Sequence, residues 1–189
     1  MFNYQFMKKT FLFLLLTCLG GIVIAQENIL SVTGGYSFGK PENSDLSLTG
    51  WRINGTYEFN PTQGPWAFGL SIGYISLSGK EEAVLVGPTE YKTGTIPIYF
   101  APKFMFGSDK IKGFIKGAIG THNTKFTRTA LVEITDNDWG FYAGGSAGLN
   151  FSVTEKVFLT AEYELGWLSN VSYKDGLINS VLGGIGFRF

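Results

Sequence analysis

The 189-residue sequence predicts an all-β fold, an eight-stranded antiparallel up-and-down barrel that crosses a membrane on its strands. Three observations carry this expectation. After residue 28, apolar residues recur at every second position in eight separate segments, the period of a strand with two unlike faces. The N-terminus reads as a secretory leader, and no later apolar stretch is long enough to cross a bilayer as a helix. The connections between segments alternate between long and short.

The leader comes first. Lys8 and Lys9 form a basic start, Thr10 to Ile24 an apolar run, and Val23-Ile24-Ala25 places a small residue before Gln26. Cleavage is expected between Ala25 and Gln26, which makes 1–25 the signal peptide and 26–189 the barrel domain. Translation can begin at Met1 or Met7. The run is shorter than the roughly 20 residues of a membrane-spanning helix. Cys18, the single cysteine, follows Thr17 rather than the small residue a lipoprotein signal prefers. Two of the 15 basic residues leave with the leader, so 13 remain against 15 acidic ones. That balance gives no reason to expect a nucleic-acid partner. Only 16% of the chain is charged and 44% is hydrophobic, whereas a soluble domain carries roughly 25% charged residues.

Each strand is then read by its outward set. The first carries Leu30, Val32, Gly34, Tyr36 and Phe38; the second Trp51, Ile53, Gly55, Tyr57 and Phe59; the third Trp66, Phe68, Leu70, Ile72 and Tyr74. The fourth carries Ile96, Ile98, Phe100, Pro102 and Phe104. The fifth, diluted by Gly113 and Gly117, carries Ile111, Ile115 and Ile119. The sixth runs from Trp139 through Phe141, Ala143 and Leu149 to Phe151. The seventh carries Val157, Leu159, Ala161, Tyr163, Leu165 and Trp167, and the eighth Val181, Ile185, Phe187 and Phe189. At about ten residues each, these segments have the length of a tilted membrane strand.

The long connections are 39–47, 78–93, 122–138 and 169–177, and the short ones 60–65, 107–110 and 152–156. Outer-membrane barrels sort their connections this way, with short periplasmic turns and long external loops. The alternate positions decide which face meets lipid. They hold Gly, Ser, Thr and Asn with Arg52, Glu58, Lys103, Lys112, Lys116, Glu162, Glu164 and Arg188. A Lys or Arg facing lipid costs about 2–4 kcal/mol at the midplane, and a few would cancel the roughly 5–15 kcal/mol that holds a domain together. These charges are therefore assigned to the lumen. Side chains fill the interior of an eight-stranded barrel, so an ion-paired, plugged lumen is expected. Arg52, Lys103, Lys116 and Arg188 have Glu58, Glu162 and Glu164 as possible partners, with the pairing left open.

Aromatics gather at the strand ends. Tyr36, Phe38, Trp51, Tyr74, Trp139 and Trp167 mark an external girdle, and Phe59, Trp66, Phe104, Phe151 and Phe189 a periplasmic one, as amphipathic rings prefer the headgroup level. Lipid cannot hydrogen-bond an unpaired edge, so the last strand must pair with the first near 28–38.

The signal peptide, the eight strands, the fourth-strand run IPIYFAPKF, the sixth-strand run GFYAGGSAGLNF and the terminal Phe together resemble the small outer-membrane β-barrel family that includes OmpX and the OmpA transmembrane domain. The resemblance covers the whole mature chain. It implies a Gram-negative outer-membrane location, reached after secretion through the inner membrane. It also implies an assembly signal for the barrel-assembly machinery, matched here by Gly184, Phe187 and Phe189, with Leu182 standing where the family has a polar residue. No periplasmic domain is expected after it.

The expected role is non-enzymatic: a monomer embedded in outer-membrane lipid, with a structural or surface-interaction function and no cofactor. The run 126–134 has high β-propensity and is expected to protrude as a hairpin, with 83–86 able to pair with it. An exposed sheet edge of this kind can bind an external protein or surface ligand by strand addition. A small-solute or ion channel is the alternative. A lipid-modifying enzyme comes third, resting on His122, the only histidine, with Thr124 and Glu133 as a degenerate triad. The mature chain has too few His and Cys residues for a three-histidine or cysteine metal site.

Overall fold

The computed structural model describes residues 27–41, 46–62, 64–83, 87–129, 133–169 and 173–189. The expected cleavage site at Ala25 and Gln26, and Cys18, lie outside the described residues. Eight strands follow in chain order: β1 (Glu27–Pro41), β2 (Leu48–Asn60), β3 (Trp66–Ala83), β4 (Gly87–Gly107), β5 (Ile111–Thr129), β6 (Glu133–Ser152), β7 (Val157–Leu168) and β8 (Tyr173–Arg188). Each pairs antiparallel with its sequence neighbours, and β8 pairs with β1 to close the barrel. The closing ladder runs from Ile29↔Arg188 to Phe38↔Asn179 in unbroken register. Phe189 adds two backbone hydrogen bonds, donating its N–H to the Asn28 carbonyl at 2.9 Å and accepting from Asn28 N–H at 3.1 Å. The edge that lipid could not satisfy is thereby removed.

The predicted facing holds along all eight segments. Leu30, Val32, Ile53, Leu70, Ile72, Ile98, Ile115, Ile119, Leu159 and Val181 are exposed on the outer surface, while their alternate neighbours are buried. β4 keeps its register through Pro97 and Pro102. The β3–β4 ladder is interrupted around Pro97 and the β4–β5 ladder around Pro102, where the missing N–H removes a rung.

Two expectations change. The strands are longer than ten residues: β3 has 18, β4 has 21, β5 has 19 and β6 has 20. Most of the expected loops 78–93 and 122–138 is strand, because their Thr, Ile, Tyr and Phe residues extend the ladders beyond the girdle. The protruding hairpin is present, with Phe126 opposite Asp136 and Thr129 opposite Glu133. The neighbouring arm pairs with it as far as Glu90↔Thr129. Val84, Leu85 and Val86 lie outside the described residues.

The second change is inside. Small, polar and charged residues were expected to fill the lumen, yet Tyr99, Phe114, Tyr142 and Phe158 are fully buried there as well. Glycines make the room. A Cβ at Gly148 or Gly186 would collide with the rings of Phe114 and Phe158, which lie directly opposite in register. Backbone geometry demands glycine at Gly176, where φ is +67° and a Cβ would strike the Leu168 carbonyl.

Candidate functional site: a plugged lumen beneath a protruding sheet

The lumen is built in tiers, each set by inward residues at matching heights on the strands. Nearest the periplasmic end, Lys103 donates to both carboxylate oxygens of Glu58 at 2.9 and 3.0 Å, with its ammonium 4.4 Å from the centre of the Phe114 ring. Above it Lys116 meets Glu162 at 2.5 Å. Next comes Arg52, whose Nη2 donates to Glu164 Oε1 at 2.7 Å while its Nε donates to Asn54 Oδ1 at 3.0 Å. Tyr142 donates to the same Glu164 oxygen at 2.5 Å, and Tyr99 lies within 3.3 Å of the guanidinium. Three cations thus meet three anions inside the barrel, and the charges cancel where water is scarce. Removing either member would leave the other buried and alone.

Two expected lumen charges lie at the periplasmic mouth instead. The Lys112 side chain is partly exposed and reaches Asp109 at 3.7 Å. Arg188 pairs with Glu27 at 3.4 Å rather than with a lumen glutamate, and its guanidinium covers the Phe158 ring at 4.7 Å.

At and beyond the Arg52 tier an apolar cluster shares the interior with buried Ser37, Thr95, His122, Thr124 and Ser180. Leu48, Ile75, Leu77, Leu168 and Ile178 form one buried cluster with Tyr99 and Tyr142. The alternation could have revealed this layer had it been followed beyond the girdle, since all five keep the inward parity of their strands.

The girdle residues face outward at both ends. Trp51 packs on Tyr74 with ring centres 5.3 Å apart, Tyr36 near Phe38 at 6.3 Å, and Trp66 on Phe104 at 5.0 Å. Trp139, Phe151, Trp167 and Phe189 are exposed, while Phe38 and Phe59 are half-buried. Of the residues matching an assembly signal, Phe187 and Phe189 project outward, and Gly184 packs against the β1 backbone at Val32 and Thr33.

His122 is fully buried. Its Nδ1 lies 2.9 Å from Thr124 Oγ1 and its Nε2 2.9 Å from the Ser169 carbonyl oxygen. With Nε2–H donating to that carbonyl, Nδ1 accepts from the Thr124 hydroxyl. Thr124 in turn lies 2.9 Å from Thr95 Oγ1. Glu133 is not brought to this cluster. It stands opposite Thr129, about 23 Å further along β5 than His122 at the rise of a strand. The ring is oriented by a backbone carbonyl, and the expected His–Thr–Glu set does not assemble.

Above the girdle, β3, β4, β5 and β6 continue as a four-stranded sheet. The β2–β3 ladder stops at Thr49↔Ser78, and the β6–β7 ladder at Tyr142↔Leu168. Ser169 still holds the Phe141 backbone, donating its N–H at 3.0 Å and accepting on its hydroxyl at 2.7 Å; beyond that, the outer strands β3 and β6 have a ladder partner on one side only among the described residues. Tyr91 and Phe126 form an aromatic contact on the sheet at 6.1 Å, and the Arg128 guanidinium lies 5.7 Å from the Tyr91 ring.

A closed, eight-stranded antiparallel barrel with an apolar exterior, two aromatic girdles and an ion-paired interior defines the class of small outer-membrane barrel proteins. The family model described as outer membrane protein beta-barrel domain matches residues 11–189, and the chain belongs to that family. Its fold is similar to that of Neisserial surface protein A, at 12% identity and a TM-score of 0.65 over 87% of this chain and 99% of that one. It is also similar to Ail, the attachment invasion locus protein of Yersinia pestis, at 15% identity and a TM-score of 0.58 over 88% and 100% of the two chains. A major outer membrane protein from Thermus thermophilus gives 10% identity and a TM-score of 0.58 over 87% and 100%. No curated protein matches the chain. At these identities the likeness is one of fold, and a fold hosts many activities.

Proposed function

We propose that this protein is a non-enzymatic, monomeric outer-membrane barrel whose plugged body anchors a working surface, the four-stranded sheet formed by β3–β6 outside the membrane. The observation that carries this reading is the pair of strand edges above Ser78 and Phe141, along which the described residues form no further ladder pair on the outer side. Such an edge accepts an extended segment of an external protein by strand addition. The names of two proteins with this fold, a surface protein and an attachment invasion locus protein, are in keeping with a surface role. The apolar layer of Leu48, Ile75, Leu77, Leu168 and Ile178 argues against solute passage, as does the mutual pairing of the lumen charges. Assembly through Gly184, Phe187 and Phe189 belongs to the same reading.

The test is a variant in which 79–91 and 124–139 are each replaced by a tight turn. Cells displaying it, and cells displaying the full chain, are applied to arrays of purified glycans and matrix proteins. The full chain is expected to bind and the shortened one to lose binding while keeping a heat-dependent gel mobility shift. Binding that survives shortening would overturn the assignment of the sheet.

A further inference from the structure

The outward face of the sheet carries a second feature just above the external girdle. A groove of about 580 Å³ lies across β3, β4 and β5 and reaches Asn137 on β6, and it includes Lys92, Lys125, Ser76, Asn123, Tyr74 and Ile96 in its walls. By strand parity it faces away from the barrel axis, toward the surrounding bilayer. Tyr74 belongs to the girdle through its contact with Trp51, so the groove sits at headgroup height. Its walls contain two ammonium groups and several hydroxyl and amide side chains but no carboxylate. Lys125 forms no ion pair among the described residues, and Lys92 meets Glu90 at 3.3 Å, an exposed pair of the kind that contributes little. At the floor is Gly94, where a Cβ would press on the Tyr74 hydroxyl at 2.9 Å; glycine keeps the groove open. Below the floor the polar walls give way to the apolar exterior at Ile96, Ile98 and Ile72, each more than 40% exposed.

A site that is cationic and hydrogen-bonding at its top and apolar at its base matches an amphipathic anion. We infer that the groove binds the phosphate of an outer-leaflet lipid, with Lys92 and Lys125 on the phosphate and the acyl chains against Ile96, Ile98 and Ile72. The inference rests on the barrel lying in the outer membrane, and the experiment separates the two. The mature chain is inserted into phosphatidylcholine nanodiscs doped with lipid A or with its dephosphorylated form, and retained lipid is counted by native mass spectrometry. Failure to insert would count against the membrane reading itself.

In inserted protein, lipid A is expected to be retained over the dephosphorylated form. K92Q/K125Q is expected to weaken retention by about ten- to thirtyfold, from the attraction of two lysines at an anionic surface. Gly94→Val, which fills the floor and keeps both lysines, should lose retention too, while Lys80→Gln, outside the groove, should not. Equal retention of both lipids, or equal loss in Lys80→Gln, would overturn the inference. Full competition by inorganic phosphate would overturn its lipid part, leaving a site for free anions. Each variant is first checked for its heat-dependent gel shift, so that misfolding is not read as lost binding.

Discussion

Lys103 and Glu58 form a closed pair: both carboxylate oxygens of Glu58 accept from the one ammonium, and both side chains are buried. Lys103→Met would therefore leave Glu58 charged and unpartnered inside the barrel. A loss of about 3–5 kcal/mol is expected in urea unfolding from detergent micelles. The paired variant K103M/E58L should recover most of it, since an apolar pair of similar volume removes the stranded charge. If the single and double variants were equally unstable, packing rather than charge would be what the pair supplies. Gly186 gives a steric counterpart, because the three atoms nearest a Cβ there all belong to the Phe158 ring. Gly186→Leu should cost about 1–3 kcal/mol, whereas F158A/G186L should restore stability by returning the volume to the same layer. Unequal tolerance of Gly186 and Gly145 would follow directly, because a Cβ at Gly145 meets only the Lys116 carbonyl at 3.8 Å.

The strands divide into two populations. β2 and β7 have 13 and 12 residues, whereas β4, β5 and β6 have 19 to 21. Beyond the girdle the central strands β4 and β5 have a partner on each side, while β3 and β6 have one among the described residues. Hydrogen exchange in nanodiscs should therefore show slower amides at Lys92 and Lys125 than the average over 79–83 or 133–139. Uniformly fast exchange across all four strands would mean that the sheet does not persist above the membrane. This division also marks where sequence reading succeeded. Alternation located all eight strands and the facing of Arg52, Glu58, Lys103, Lys116, Glu162 and Glu164, because one misplaced charge in lipid is so costly. It foresaw a protruding hairpin at 126–134 but not the full length of β3–β6, since above the membrane no lipid enforces a contrast between faces and Lys80, Glu90 and Thr127 read as loop. It also set Tyr99 with Lys103 and Phe114 with Lys116 on the inward parity, yet the lumen expected from it held only small, polar and charged residues, because the room for such rings is made by glycines across the ladder, as Gly148 does for Phe114. His122 and Thr124, two apart on one strand, did come together; Glu133 did not, because ladder register and not loop proximity governs its distance.

For the whole molecule, closure and plugging lead to two expectations. The refolded mature chain should migrate differently with and without boiling, as a ring of eight ladders resists unfolding by detergent alone. In planar bilayers it should show no stepwise conductance, because three neutralised ion-pair tiers and an apolar layer occupy the path. Steady ion-selective steps would overturn the plugged interior and favour the channel alternative. The unequal strands have a further effect. β4 is nine residues longer than β7, a difference of roughly 20 Å in height once strand tilt is included. Seen from outside the cell, the protein is therefore not a round post but one with a tall wall over β3–β6 and a low sill over β7. It has an azimuth. Rotation about the membrane normal, which a uniform cylinder would perform without consequence, changes which profile each neighbour meets, so crowding in the membrane plane can select orientation as well as spacing.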